Sequence, residues 1–277
     1  MNIGDLVVRK SHGKDVLFRI INIEENKNRK KQVVLKGIDF RLMADSSIDD
    51  LEMIGQENFR QYVFSRQIEN LLTRAKKNRN DRQKKYYRNG FGRPGKVLHL
   101  DGDGEYLKIC LEAYKKLDIE AVGKVVAESD QHKVVGELLK EHSPDILVIT
   151  GHDSILNSNN NIRDLNNYRN SKNFVKAVLE ARKYENAMDE LVIFAGACQS
   201  NYEAILNAGA NFASSPSRIL IHCLDPVLIV EKIAYTRIDK VMPLEEVFQN
   251  TITGIKGVGG FETRGKYRSG LPKSLYE

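Results

Sequence analysis

Ile146-Leu147-Val148-Ile149-Thr150-Gly151-His152-Asp153 is an apolar run of five residues that opens onto a glycine and a titratable pair. A run this short, with no polar alternation, reads as a strand buried on both faces, the kind that parallel sheets require. The same pattern returns at Leu191-Val192-Ile193-Phe194-Ala195, followed by Gly196-Ala197-Cys198-Gln199-Ser200. Outward from these two, strand and helix signals alternate. Val97–Asp101, Ile119–Val126 and Ile219–Cys223 read as further strands, and Glu105–Leu117 and Gln131–Glu141 carry helical spacing. A polar loop runs through Asn170, a helix spans Lys172–Tyr184 with Ser171 as its cap, and Tyr202–Ala208 is closed by Gly209. Another helix follows Asp225-Pro226. The alternation predicts an α/β domain, a mostly parallel sheet sandwiched by helices, over 96–277. Its tail from Gly254 has no period and reads as loop.

The first fifty residues follow another rule. Leu6-Val7-Val8, Val16–Ile21 and Gln32–Leu35 are β-branched or aromatic runs separated by turn-forming pieces, which predicts a small SH3-like β-barrel over 1–55. Between the two domains, 56–95 reads as an amphipathic basic helix and a linker ending in Gly92-Arg93-Pro94-Gly95. The net charge of +6 is concentrated there: Glu57–Lys96 holds twelve Lys/Arg against three acids, which leaves the rest of the chain slightly acidic. This argues against a chain built throughout to bind nucleic acid. No apolar stretch approaches the roughly 18 residues of a membrane helix. The acidic start, Met1-Asn2-Ile3-Gly4-Asp5, does not resemble a signal peptide. Three cysteines without a CxxC pair do not make a disulfide scaffold.

Ligands of parallel sheets bind at the carboxyl ends of the strands. Two strands of one sheet would bring His152 and Cys198 to the same edge, each shortly after a glycine that lets the backbone turn sharply. A helix starting after Cys198 would favour its thiolate, and His152 would move the proton that nucleophilic catalysis by a thiol needs. Backbone amides around the pair, at Gly151, Asp153, Gly196 and Cys198 itself, are the natural oxyanion donors. No cofactor or metal is needed for such chemistry.

Met1–Ser11, Val97-Leu98-His99-Leu100-Asp101-Gly102-Asp103, Thr150-Gly151-His152-Asp153 and Ala195-Gly196-Ala197-Cys198-Gln199-Ser200 together resemble the YabG family of sporulation-specific cysteine proteases, essentially end to end. The His/Cys layout is also similar to the caspase, clostripain and gingipain clan, with Asp153 where many members have Gly and Gly196 where caspases have Gln. The resemblance implies a caspase-like fold, with Cys198 as nucleophile and His152 as general acid/base. It also implies protein substrates among spore coat, cortex-lytic or germination proteins, in the cytoplasm of the mother cell or at the spore coat. Several clan relatives cleave after Arg or Lys, which makes Asp101, Asp103 and Asp225 candidates for a carboxylate in the primary specificity pocket.

Three other readings compete. Asp101-Gly102-Asp103 after a strand also looks like the start of a magnesium-dependent phosphatase with an aspartate nucleophile. Cys198, His222, Cys223 and His152 would be the ligands of a zinc site, although close ligand pairs are missing. The barrel and basic helix, with Phe59, Tyr62, Phe64, Tyr86, Tyr87 and Phe91 among the positive charges, would form an RNA-binding module. Protein substrate docking or internal packing is the preferred reading of that region.

Overall fold

Short β-branched runs pair with their chain neighbours in the computed structural model, which describes residues 1–25, 31–55, 69–77, 91–156, 161–272 and Ser274. The chain divides into two compact units, Met1–Leu71 and Leu72–Glu277. In the first, β1 (Leu6–Arg9), β2 (Leu17–Glu25), β3 (Lys31–Gly37), β4 (Met43–Ser47) and β5 (Leu51–Met53) form one antiparallel sheet in the order β4-β3-β2-β1-β5. Its alternating inward residues Val7, Phe18, Ile20, Val33 and Leu35 are fully buried. The expected strands fall on β1, β2 and β3. The sequence reading missed β4, whose Met-Ala-Asp-Ser-Ser has almost no apolar content, and the three-residue β5. Residues 69–77 are helical. The aromatic residues at 59, 62, 64, 86 and 87, and the linker over 78–90, lie outside the described residues.

The second unit is α/β. It contains β6 (Phe91–Arg93), β7 (Val97–Asp101), α1 (Gly104–Lys116), β8 (Ala121–Val125), α2 (Glu128–His142), β9 (Ile146–Thr150), α3 (Ser171–Tyr184) and β10 (Val192–Ala195). Beyond these come α4 (Tyr202–Asn207), β11 (Phe212–Ser214), α5 (Asp225–Tyr235), β12 (Val241–Met242), α6 (Leu244–Phe248), β13 (Val258–Gly260), β14 (Thr263–Arg264) and β15 (Arg268–Gly270). The six-stranded sheet runs β13-β11-β10-β9-β7-β8, parallel except at β13. Leu98, Leu100, Leu147, Ile149, Ile193 and Ala195 face a core shared with α2 and α3, including Leu139, Phe174 and Val178. On the other face Tyr106, Cys110 and Tyr114 of α1 and most of α5 are buried. Among the described residues no helix is long and apolar enough to cross a membrane.

Two sequence expectations fail here. Ile219–Cys223 is not a strand of the sheet; the position beside β10 is taken by Phe212–Ser214. The tail expected to be loop supplies three short strands. One of them, β13, is the antiparallel edge of the main sheet, where a side chain at Gly260 would collide with the Asn211 carbonyl.

Candidate active site

The chain leaves β7 through α1 to β8 on one side, then returns through α2 to β9 on the other. This reversal is a topological switch point at the carboxyl ends of β7 and β9, the place where open α/β sheets form the crevice that binds ligands. Asp101 and Asp103 come from β7 and the turn after it, His152 from the turn after β9, and Cys198 from the turn after the adjacent β10. Ile149 pairs in register with Ala195, and His152 and Cys198 each lie three residues beyond that pair. Neighbouring strands are about 4.8 Å apart, so the fold brings the two turns side by side at one level of the rim.

His152 is held from four directions. Its amide donates to Glu128 Oε1 at 2.6 Å, its carbonyl accepts from Asn170 Nδ2 at 2.9 Å, and its Nε2 lies 3.0 Å from Asp103 Oδ2. The Tyr106 ring meets the imidazole edge-on, with centroids 5.8 Å apart. The Glu128 carboxylate lies against the backbone of both turns; a Cβ at Gly102 or Gly151 would come within 2.3 Å of it. Glycine is needed at both positions for that close approach. The imidazole keeps 20% of its side-chain surface exposed.

Cys198 is enclosed. It retains 1% of its surface, and the segment Ile219–Ile221 lies over it. The Ile221 amide donates to Cys198 Sγ at 3.3 Å, Sγ lies 3.7 Å from the Ile221 carbonyl, and the Gln199 amide donates to the Ile219 carbonyl at 3.1 Å. The apolar run that suggested a strand is therefore this cover. Gly196 and Gln199 have φ of 108° and 57°, a tight left-handed turn on either side of the thiol. The helix expected immediately after Cys198 starts at Tyr202, capped by Asn201.

One buried carboxylate ties the two turns together. Asp153 accepts from the amides of Ser154 and Asn170 and from the hydroxyls of Ser171 and Ser200. Ser200 Oγ in turn accepts the Ala197 amide at 2.9 Å, and Ser171 Oγ accepts the Asn201 amide at 2.7 Å. Burial pushes the Asp153 carboxyl above the usual range, opposed by these hydrogen bonds. Ser171, expected to cap a helix, is spent on this network, and Asn170 occupies the cap position without a side-chain cap bond.

The remaining sequence candidates lie as follows. Asp101 is fully buried, accepting from Thr150 Oγ1 at 2.9 Å and from the Asp103 amide at 2.9 Å. Asp225, the first residue of α5, is fully buried and accepts from the His222, Ile252 and Thr253 amides and the Thr253 hydroxyl. Burial raises its carboxyl against those donors. Gly196 donates its amide to the Ile149 carbonyl at 3.0 Å. His222 Nδ1 accepts the Leu224 amide, and among the described residues no group of three or more His, Cys, Asp or Glu is gathered to hold a metal ion. Glu128, Asn170 and Tyr106 were missed by the sequence reading; the glycines after β7 and β9 were the one signal of a side chain crossing there.

A family model described as YabG peptidase U57 matches residues 2–272. The chain is also 45% identical, over 98% of its length and 97% of the other's, to the sporulation-specific protease YabG of Bacillus subtilis (strain 168).

Proposed function

The chain belongs to the YabG peptidase U57 family, and from that premise we propose that it is a cysteine endopeptidase of sporulation in which Cys198 attacks the peptide carbonyl and His152 moves the protons. The observation that carries this reading is the shared level of the two residues on adjacent parallel strands beside the β7/β9 crevice. His152 takes the thiol proton as the carbon–sulfur bond forms and gives it to the amine as the peptide bond breaks. It then takes a proton from water, whose oxygen displaces the thiolate and releases the acid product. The amides of Cys198, Gly151, Asp153 and Gly196 are the oxyanion candidates, of which the Gly196 amide already donates to the Ile149 carbonyl. Because Ile219–Ile221 lies over the thiol, substrate must displace that segment. The family match favours this reading over the phosphatase alternative, and the enclosure of Asp101 agrees with it.

We extend the proposal to a caspase-like sandwich over 96–277, a basic helix and linker over 56–95 and an SH3-like barrel over 1–55, supported by the helix-flanked parallel sheet and the five-stranded antiparallel sheet. Cleavage after basic residues stays part of the proposal on the family resemblance alone, since Asp101 and Asp225 are enclosed and Asp103 faces His152. The substrates are proteins of the spore coat, cortex or germination apparatus, met in the mother cell. Purified Cys198→Ala and His152→Ala variants, incubated with a spore coat protein, are each expected to lose about 10³-fold or more of the cleavage rate. Cleavage at the unmodified rate by either folded variant overturns the assignment.

A further inference from the structure

Asp103 uses its two carboxylate oxygens in different directions. Oδ1 accepts the Glu105 amide at 2.9 Å and the Tyr106 amide at 3.4 Å, which caps α1. Oδ2 crosses the crevice between β7 and β9 and accepts from His152 Nε2 at 3.0 Å. We propose that Asp103 is the positioning residue for His152 in the peptidase reaction, a role that rests on the Cys198/His152 reading above. An ionised carboxylate only accepts hydrogen bonds. Asp103 therefore selects the tautomer with hydrogen on Nε2, so that Nδ1 is the nitrogen that exchanges a proton with the thiol. It also places a negative charge beside the imidazolium formed when that proton arrives.

The surroundings make Asp103 a fixed anchor. Its amide is held by Asp101 Oδ1, whose other oxygen accepts from Thr150 Oγ1. Thr150 Oγ1 lies 2.7 Å from His99 Nε2, and His99 Nδ1 lies 3.4 Å from the Tyr114 hydroxyl. All four of these residues are buried between the sheet and α1. The imidazole is pinned through its backbone by Glu128 and Asn170 and along its edge by Tyr106. What remains is rotation of the ring, and Asp103 sets it. Positioning of this kind raises the catalytic step without adding a substrate contact.

Asparagine keeps a cap oxygen as effective as aspartate's, so Asp103→Asn separates the two jobs of this side chain. Its amide nitrogen donates toward Nε2, which moves the ring hydrogen to Nδ1 and removes the base. With a fluorogenic peptide carrying Arg, Lys or Ala before the scissile bond, kcat is expected to fall about 10²-fold or more. KM should stay within about threefold and the Arg-over-Ala preference should not change. Asp103→Ser, which caps but is too short to reach His152, should show the same kcat loss, with thermal midpoints reporting that both variants are folded. Three outcomes overturn the proposal: wild-type kcat in both variants, a kcat loss that simply tracks the unfolded fraction, or a loss confined to KM for basic peptides, which would assign Asp103 to substrate recognition. Should Cys198→Ala and His152→Ala be inactive while Asp103→Asn is not, the positioning role fails alone; should all retain activity, the peptidase site itself fails.

Discussion

The His152 turn and the Cys198 turn sit at the same level of one sheet, yet they are in opposite states. The imidazole is partly exposed and fixed by Asp103, Glu128, Asn170 and Tyr106. The thiol is sealed under Ile219–Ile221, with a backbone amide on its sulfur. In the proposed mechanism the base is thus partly open and the nucleophile is covered. The difference teaches that the sheet fixes where the reacting groups stand, while a segment outside it decides whether the thiol meets substrate. Asp153 is what keeps the two turns together, since its carboxylate binds the hydroxyls of Ser171 and Ser200 while its own backbone continues the His152 turn.

The largest expected disturbance of this arrangement is therefore Asp153→Ala. It leaves two buried hydroxyls and two amides without their acceptor, and each lost bond to a charged acceptor costs about 1.5–3 kcal/mol before local relaxation. We expect a net destabilisation of about 3 kcal/mol in urea unfolding, together with loss of peptidase activity at temperatures where the variant is still folded. A change below about 1 kcal/mol would mean that the turns are held by the sheet alone and that the hydrogen bonds to Asp153 add little.

Sequence made one half of this comparison much easier to read than the other. Val97–Asp101 and Ile146–Thr150 are found as expected: Ile146–Thr150 is five consecutive apolar or β-branched residues between turn signals, and Val97, Leu98 and Leu100 supply enough of the same pattern to mark a buried strand despite His99 and Asp101. His152 and Cys198 follow directly from the ends of such strands. Ile219–Cys223 has a similar apolar character, and its front part Ile219–Ile221 becomes the cover of the thiol, since composition reports burial and not which neighbour supplies the hydrogen bonds. The real fifth parallel strand, Phe212-Ala213-Ser214, is too short to stand out. Sequence marks Asp103 as a carboxylate near a strand end and a candidate for the specificity pocket, but its partner His152 lies 49 positions away and is set by the order in which β8 and β9 flank β7. Glu128 and Asn170 act on His152 through backbone atoms, which carry no residue-type signature.

A smaller effect is expected on the covered side. Arg218, with φ of 54°, anchors the segment over Cys198: its Nε donates to the Tyr168 hydroxyl at 2.8 Å, and its other nitrogens reach Glu203 and the Ser215 carbonyl. Arg218→Ala loosens that anchor by roughly one charge-assisted hydrogen bond. Opening should become about tenfold more frequent. Iodoacetamide labelling read by peptide mass spectrometry provides its own control in Cys110, which is fully buried on α1, whereas Cys223 follows the cover by two residues. Cys198 should label faster and Cys110 should not. Equal acceleration at Cys198 and Cys110 would signal global loosening and remove the idea of a cover that opens separately.

The smallest effect concerns pH and sharpens the role of Asp153. Burial raises its carboxyl pKa above the ordinary 3.8, so the native state binds this proton more tightly than the unfolded chain does. The sign follows from linkage: the contribution is fully present below 3.8 and is lost as pH rises through the elevated native value. Asp153→Asn has no such proton. Its stability should fall less than that of the wild type as pH is raised upward from 3.8, whatever constant offset the altered hydrogen bonds introduce. Asp225→Asn should flatten the wild-type curve in the same sense, because burial raises that carboxyl too, at the start of α5, where it bonds to neither the His152 turn nor the Asp153 network. The two variants then part on activity: the Asp153 substitution alters the relation between His152 and Cys198, whereas the Asp225 substitution should change the pH dependence of stability and leave the reacting pair in place. Parallel pH curves for Asp153→Asn and wild type would mean that the hydrogen bonds to this carboxylate balance its burial, so that folding leaves its proton affinity unchanged.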